Sequence, residues 1–165
     1  MNHEHTDFEH VEKHIAEILA STAPREERAR AVAAEIHAAG NYRWVGIYDV
    51  TADAVSIVAY SGPGAPAYPT FARDRGLTGE VLRTGQTVVV GDVTSNAHYL
   101  TAFATTRSEM IVPVRADGEI SGTIDVESER VDAFTHADRA ALERVAQALA
   151  PLFSEARHKG PSTGP

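Results

Sequence analysis

Apolar positions near the start of the chain repeat at helical spacing. Phe8, Val11, Ile15 and Ile18 fall on one face and predict an amphipathic helix from about Asp7 to Ala20. Ser21, Thr22, Ala23 and Pro24 interrupt it, and Pro24 suits the first turn of a second helix, where a missing N–H does no harm. That helix runs through an Ala- and Arg-rich stretch to Ala39 and stops at Gly40. The pattern then changes period. Tyr42–Val50 and Ala54–Ser61 are rich in β-branched and aromatic residues and predict a hairpin.

Gly62, Pro63, Gly64, Pro66 and Pro69 impose a long loop, because the prolines remove backbone donors and fix φ. A short helix over Thr78–Arg83 and a short strand over Thr87–Val90 follow. Gly91–Thr106 is a second irregular segment, polar but carrying Tyr99 and Phe103. Loops of this length in a small domain carry binding function more often than connection alone. Glu109–Arg115 and Glu119–Glu127 predict a second hairpin. Thr135 is an N-cap candidate with Asp138 in the first turn of a last helix, whose Leu142, Val145, Leu149 and Leu152 share a face. The Gly- and Pro-rich stretch 159–165 predicts a disordered tail. The order predicts a single α+β domain over 1–158, with a central antiparallel sheet, helices packed on one face and long loops on the other.

The register of the second hairpin decides what the loop face presents. A two-residue turn at Asp117-Gly118 sets Met110 against Asp125 and Glu109 against Val126, mixing charged and apolar groups on both faces. A three-residue loop, Ala116-Asp117-Gly118, instead sets Met110 against Ile124, Val112 against Gly122 and Val114 against Ile120. One face is then wholly apolar, and since a one-residue slip flips every side chain, this register is preferred. It places Glu109 across from Asp125, with Glu127 next along the same face. No basic residue lies on those two segments beside them. Like charges so placed destabilise a sheet unless they share a proton or meet a cation, an ammonium group or hydrogen-bond donors. A solvated acidic face needs no ligand, but Ile111 and Pro113 share this one and two long loops must pack somewhere, which favours a pocket.

Composition narrows the chemistry. The 165 residues, 43% hydrophobic and 23% charged, suit one globular domain. A net charge of −8 repels phosphate backbones, so nucleic acid is not an expected partner. No apolar run is long enough to span a bilayer and no signal segment is evident, so a cytoplasmic, membrane-free protein is expected. The chain has no cysteine. Disulfides, thiolate metal sites, thioether-linked chromophores and thiol nucleophiles are therefore excluded. No cofactor or metal is expected either. His10 and His14 are one helical turn apart but lack the accompanying Glu of a zinc-protease helix, and a solvated helix face explains them better. His98 stands near Tyr99 with nothing to orient it.

Several stretches resemble GAF domains, and specifically the free methionine-(R)-sulfoxide reductases. Trp44-Val45-Gly46-Ile47-Tyr48 is similar to their first strand and Asp74-Arg75-Gly76-Leu77-Thr78-Gly79 to their glycine turn. Ser108-Glu109-Met110-Ile111-Val112-Pro113 and Gly122-Thr123-Ile124-Asp125-Val126-Glu127-Ser128 resemble their two central strands. The likeness runs from about Glu9 to Phe153. It implies a profilin-like sheet and a ligand site formed by Trp44, Tyr48, Glu109, Asp125 and Glu127, with Glu127 where the family has the shorter aspartate. Trp44 and Tyr48 also share a strand face by simple alternation, although ordinary core packing explains either one alone. The resemblance puts the family's cysteines at Tyr68, Thr78 and Ala102, none of which can attack a sulfoxide. The expected function is a non-catalytic GAF sensor domain, a homodimer, binding a small amine-bearing or cationic ligand. A thiol-free reductase and an interaction module with a vestigial pocket are the alternatives.

Overall fold

The structure is a computed structural model that describes residues 3–40, 42–100 and 103–158. Two helices lead, α1 (His3–Ala20) and α2 (Arg25–Gly40), followed by β1 (Trp44–Val50), β2 (Val55–Ser61) and a two-residue β3 (Thr70–Phe71). After α3 (Gly76–Thr84) come β4 (Val88–Val90), a 3-10 turn (Val93–Ser95), β5 (Ser108–Ala116) and β6 (Glu119–Ser128), then α4 (His136–Ala148) and α5 (Ala150–His158). The strands form one six-stranded sheet in the order β3-β2-β1-β6-β5-β4, every neighbouring pair antiparallel. The predicted tail, 159–165, and Ala102 lie outside the described residues.

One sheet face carries the main core. Val45, Ile47, Met110, Val112, Val114, Ile124 and Val126 pack there against Ile15 of α1, Val32 and Ile36 of α2, Leu142 and Val145 of α4, and Leu152 and Phe153 of α5. The prediction of helices on one face and loops on the other holds for α1, α2, α4 and α5. The exception is α3, whose Leu77 and Val81 pack on Ile111 of the opposite face. The single C-terminal helix is also corrected to two. Leu142, Val145, Leu149 and Leu152 are all buried as the spacing predicted, but the helix breaks at Leu149, ahead of Pro151, which lacks the N–H needed to continue the ladder. At its other end α4 has a full capping box, with Thr135 Oγ1 accepting from Asp138 N and Thr135 N donating to Asp138.

The register of the second hairpin differs from the preferred one. The turn is the two-residue Asp117-Gly118, with φ of 54° and 81°, and it sets Ala116 against Glu119. A shift between Val114 and Arg115 then leaves Ser121 as an extra residue in β6, so that Val114 meets Gly122 and Met110 meets Val126. The extra residue sits in the strand and not in the loop. Either device restores the same faces, so Glu109, Asp125 and Glu127 do share one. The partners move by one pair: Glu109 faces Glu127, and Asp125 faces Ile111.

Candidate functional site

Three strands place the site through their registers. β6 runs between β1 and β5, so Glu127 lies between Trp44 and Glu109, Asp125 between Gly46 and Ile111, and Thr123 between Tyr48 and Pro113. The five residues predicted from sequence, Trp44, Tyr48, Glu109, Asp125 and Glu127, therefore occupy one contiguous patch on the face opposite the main core. All are buried, at 1%, 3%, 5%, 7% and 0% exposure respectively. The acidic face is not the solvated surface that its composition alone would allow.

Two loops and α3 cover the patch. Trp44 Nε1 donates to the Gly64 carbonyl at 3.2 Å and so fastens the Pro-rich loop over the sheet. Its ring stacks with Tyr60 and lies 5.3 Å from Phe103 of the second loop. Tyr99, from the same loop, donates its hydroxyl to Glu127 Oε1 at 3.3 Å. Arg43 is held by Glu129 at 2.8 Å and by Thr105, leaving the guanidinium at the edge of the acidic cluster and not within it. Beneath these covers a cavity of about 30 Å³ remains, lined by Tyr48, Phe71, Thr78, Glu109, Ile111 and Asp125 among others. Tyr68 and Leu100 belong to its outer wall.

Burial, with Arg43 a minor counter-charge at Glu127, moves every acid in the cluster in one direction. Burial, then the charges of Asp125 and Glu127, push the Glu109 carboxyl well above the usual range. A hydrogen bond between Glu109 and Asp125 adds to this rise. Burial pushes Asp125 up to about 6, against the Glu109 hydrogen bond that holds it down. Burial and then Asp125 push Glu127 up to about 8, against the Thr106 and Tyr99 hydroxyls and the Arg43 charge. Burial first, then Asp125, Glu127 and Glu109, raise the Tyr48 phenol, so it stays a neutral donor. Every carboxyl of the cluster thus favours its protonated form more than a free acid does.

Even so, the cluster is not satisfied internally. Asp125 Oδ1, Glu127 Oε2 and the Thr123 hydroxyl are buried without a hydrogen-bond partner. Buried polar atoms are normally paired, so a group of unpaired ones at one place is a property of binding sites.

Four contributors escaped the sequence reading. Thr123 was legible in principle, since it is two residues before Asp125 on the same strand face. Gly46 was not read as part of the site; a methyl group there would lie 2.3 Å from Trp44 Cη2 and 2.9 Å from Tyr48 Cε2. The bare backbone lets both rings pack over Gly46, the cross-strand partner of Asp125. Tyr99 and Thr106 lie in an irregular segment where no periodicity assigns a direction. His98 is exposed, and its backbone N–H binds Asn96. His10 stacks on His14, which meets Glu35 at 3.4 Å on the outer helices, away from the site. Among the described residues, no group of three or more His, Asp or Glu has the arrangement to hold a metal ion. Among them, too, no helix is long and apolar enough to cross a membrane.

A family model described as the GAF domain matches residues 24–151. Protein YtsP of Bacillus subtilis is 27% identical over 127 residues, covering 77% of this chain and 78% of that protein. The free methionine-R-sulfoxide reductase of Neisseria meningitidis, solved in complex with its substrate, superposes with a TM-score of 0.83. It is 28% identical, over 93% of this chain and 92% of that one. The type II free methionine-R-sulfoxide reductase of Thermoplasma acidophilum is 32% identical, with a TM-score of 0.75 over 80% of this chain and 96% of that one. The GAF domain of an Acinetobacter phosphoenolpyruvate-protein phosphotransferase, 17% identical, shares the fold, with a TM-score of 0.84 over 98% of this chain and 99% of that one.

Proposed function

The chain belongs to the GAF domain family, and we propose that it is a non-catalytic member that binds a small amine-bearing ligand at the Glu109–Asp125–Glu127 cluster. One observation carries the reading. Asp125, whose Oδ1 is buried without a hydrogen-bond partner, lines the cavity together with Glu109, and no basic side chain is in that lining; Glu127, with Oε2 also unpartnered, adjoins them on the sheet. An ammonium group supplies both a counter-charge and several N–H donors for the unpartnered oxygens. Tyr48, Phe71, Leu77 and Ile111 give the rest of a ligand apolar walls. The similarity to a reductase solved with its substrate favours a free amino acid of the methionine sulfoxide kind among such ligands.

Sulfoxide reduction of the reductase type needs a thiol to attack sulfur, and the chain has none. Tyr68 and Thr78, at two positions where the resemblance places cysteines, both line the cavity. Neither hydroxyl replaces a thiolate, since oxygen is a poor nucleophile toward sulfoxide sulfur and forms no disulfide. Pairing of two copies belongs to the same reading of a sensor domain.

Titration calorimetry with methionine and both of its sulfoxides tests the proposal. Binding is expected for wild type and is expected to be lost in Glu109→Ala and Asp125→Ala, with folding of each variant checked by circular dichroism. Binding that survives both substitutions contradicts the assignment of the site. Steady turnover of free methionine-(R)-sulfoxide with a supplied thiol reductant would return the chain to the reductase class.

A further inference from the structure

The cavity beside the carboxylates is too small for the ligand class just proposed. About 30 Å³ is far below the roughly 300–1,000 Å³ that small-molecule sites usually enclose. Some wall must therefore yield. The deep walls are poor candidates. Tyr48, Leu77, Thr78, Glu109, Ile111 and Asp125 are 2–7% exposed and are held in strands or in α3, so displacing any of them disturbs close packing. Phe71 is braced edge-on against Tyr48 at 5.8 Å. Leu100 packs against the bare backbone of Gly76, where an added Cβ would lie 3.0 Å from its own Cβ.

Tyr68 differs from all of these. It lines the cavity while 47% of its surface is in solvent. Among the described residues its hydroxyl has no hydrogen-bond partner. The backbone around it is fixed: Gly64 O accepts from Trp44 Nε1, Pro66 is buried, and Pro69 O accepts from Ile57 N at 2.8 Å. Side-chain rotation is therefore the easy motion at this position, and loop displacement is not.

Resting on the reading of this cavity as a ligand site, we propose that Tyr68 determines the size of ligand the site accepts. Its ring stands in the space that everything beyond the ammonium head of a longer ligand would fill. A ligand larger than methylammonium must displace the ring toward solvent, which costs the ring its contacts with the cavity wall. Smaller cations bind beneath it undisturbed.

Calorimetry on the intact chain, using methylammonium and methionine-(R)-sulfoxide as probes, tests this with Tyr68→Ala and Tyr68→Phe. The alanine variant is expected to bind the sulfoxide at least tenfold more tightly than wild type, with methylammonium affinity changed less than threefold. Tyr68→Phe keeps the ring and is expected to match wild type for both probes, which a general loosening of the loop would not produce. Equal changes for the two probes, or no gain for the sulfoxide while methylammonium still binds, overturn the role of Tyr68 and leave the acidic site standing. If neither probe binds any of the three proteins, the acidic-site reading falls and the role of Tyr68 falls with it.

Discussion

A methyl group on Gly46 would collide with two rings at once, Trp44 at 2.3 Å and Tyr48 at 2.9 Å. Both contacts are to side chains, so the rings can give way, but only by leaving their packed positions over Gly46. Gly46→Ala is expected to cost about 1–3 kcal/mol of stability, the usual range for overpacking. It is also expected to weaken ligand binding, because Tyr48, a wall of the cavity, moves. Denaturant unfolding and calorimetry on the variant check the two effects separately. A variant with wild-type stability and binding would show that the rings do not depend on the bare backbone. The glycine looked ordinary in the sequence because its role depends on a cross-strand neighbour 79 positions away, Asp125.

The hairpin of β5 and β6 shows which parts of an element pairing were legible. Alternation put Glu109, Asp125 and Glu127 on one face, and that is where they are. The offset was not legible, because a three-residue loop and a two-residue turn with a bulge leave the apolar faces equally clean. Ser121, the extra residue, is followed by Gly122, and a glycine inside a strand is compatible with a bulge without fixing its position. The break at Leu149 was readable from Pro151, yet the unbroken apolar stripe across it concealed the stop. Tyr99 and Thr106 were beyond reach of any pattern, since only the tertiary path of their loop brings them over Glu127. The turn itself makes a prediction at this scale. Gly118 has φ of 81° with open space around its Cβ position, so Gly118→Ala costs only backbone strain. A loss of about 1 kcal/mol is expected. Its melting temperature should fall by about 2–4 °C with no change in ligand affinity, read by thermal unfolding and calorimetry. A larger fall or altered binding would show that the turn touches the site.

The whole molecule carries the cost of the buried acids as a dependence on pH. The folded state raises Asp125 from 3.8 to about 6 and Glu127 from 4.5 to about 8, and holds Glu109 well above its usual range. Between the unfolded and folded values the native state holds more protons than the unfolded chain. Stability contributed by these groups is therefore complete below about pH 4 and is lost as pH rises through the folded values. A tenfold change in proton affinity is worth about 1.4 kcal/mol, so a fall on the order of 10 °C in melting temperature is expected between pH 5 and pH 9. Glu127→Gln should flatten that slope, and the variant should be more stable than wild type at pH 9. Thermal unfolding of both proteins across this range checks it, and parallel slopes would contradict the protonation scheme.

If the buried acidic cluster exists to receive an ammonium group, removing the positive charge from a ligand must abolish its hold on the site. The most direct test is a calorimetric comparison, at neutral pH, of methionine-(R)-sulfoxide with its N-acetyl derivative, which has the same tail but no positive charge. Saturable binding of the free amino acid is predicted, with at least a hundredfold weaker binding of the acetylated one. Equal affinity for the two, or binding of the acetylated form alone, would contradict the role given to the cluster.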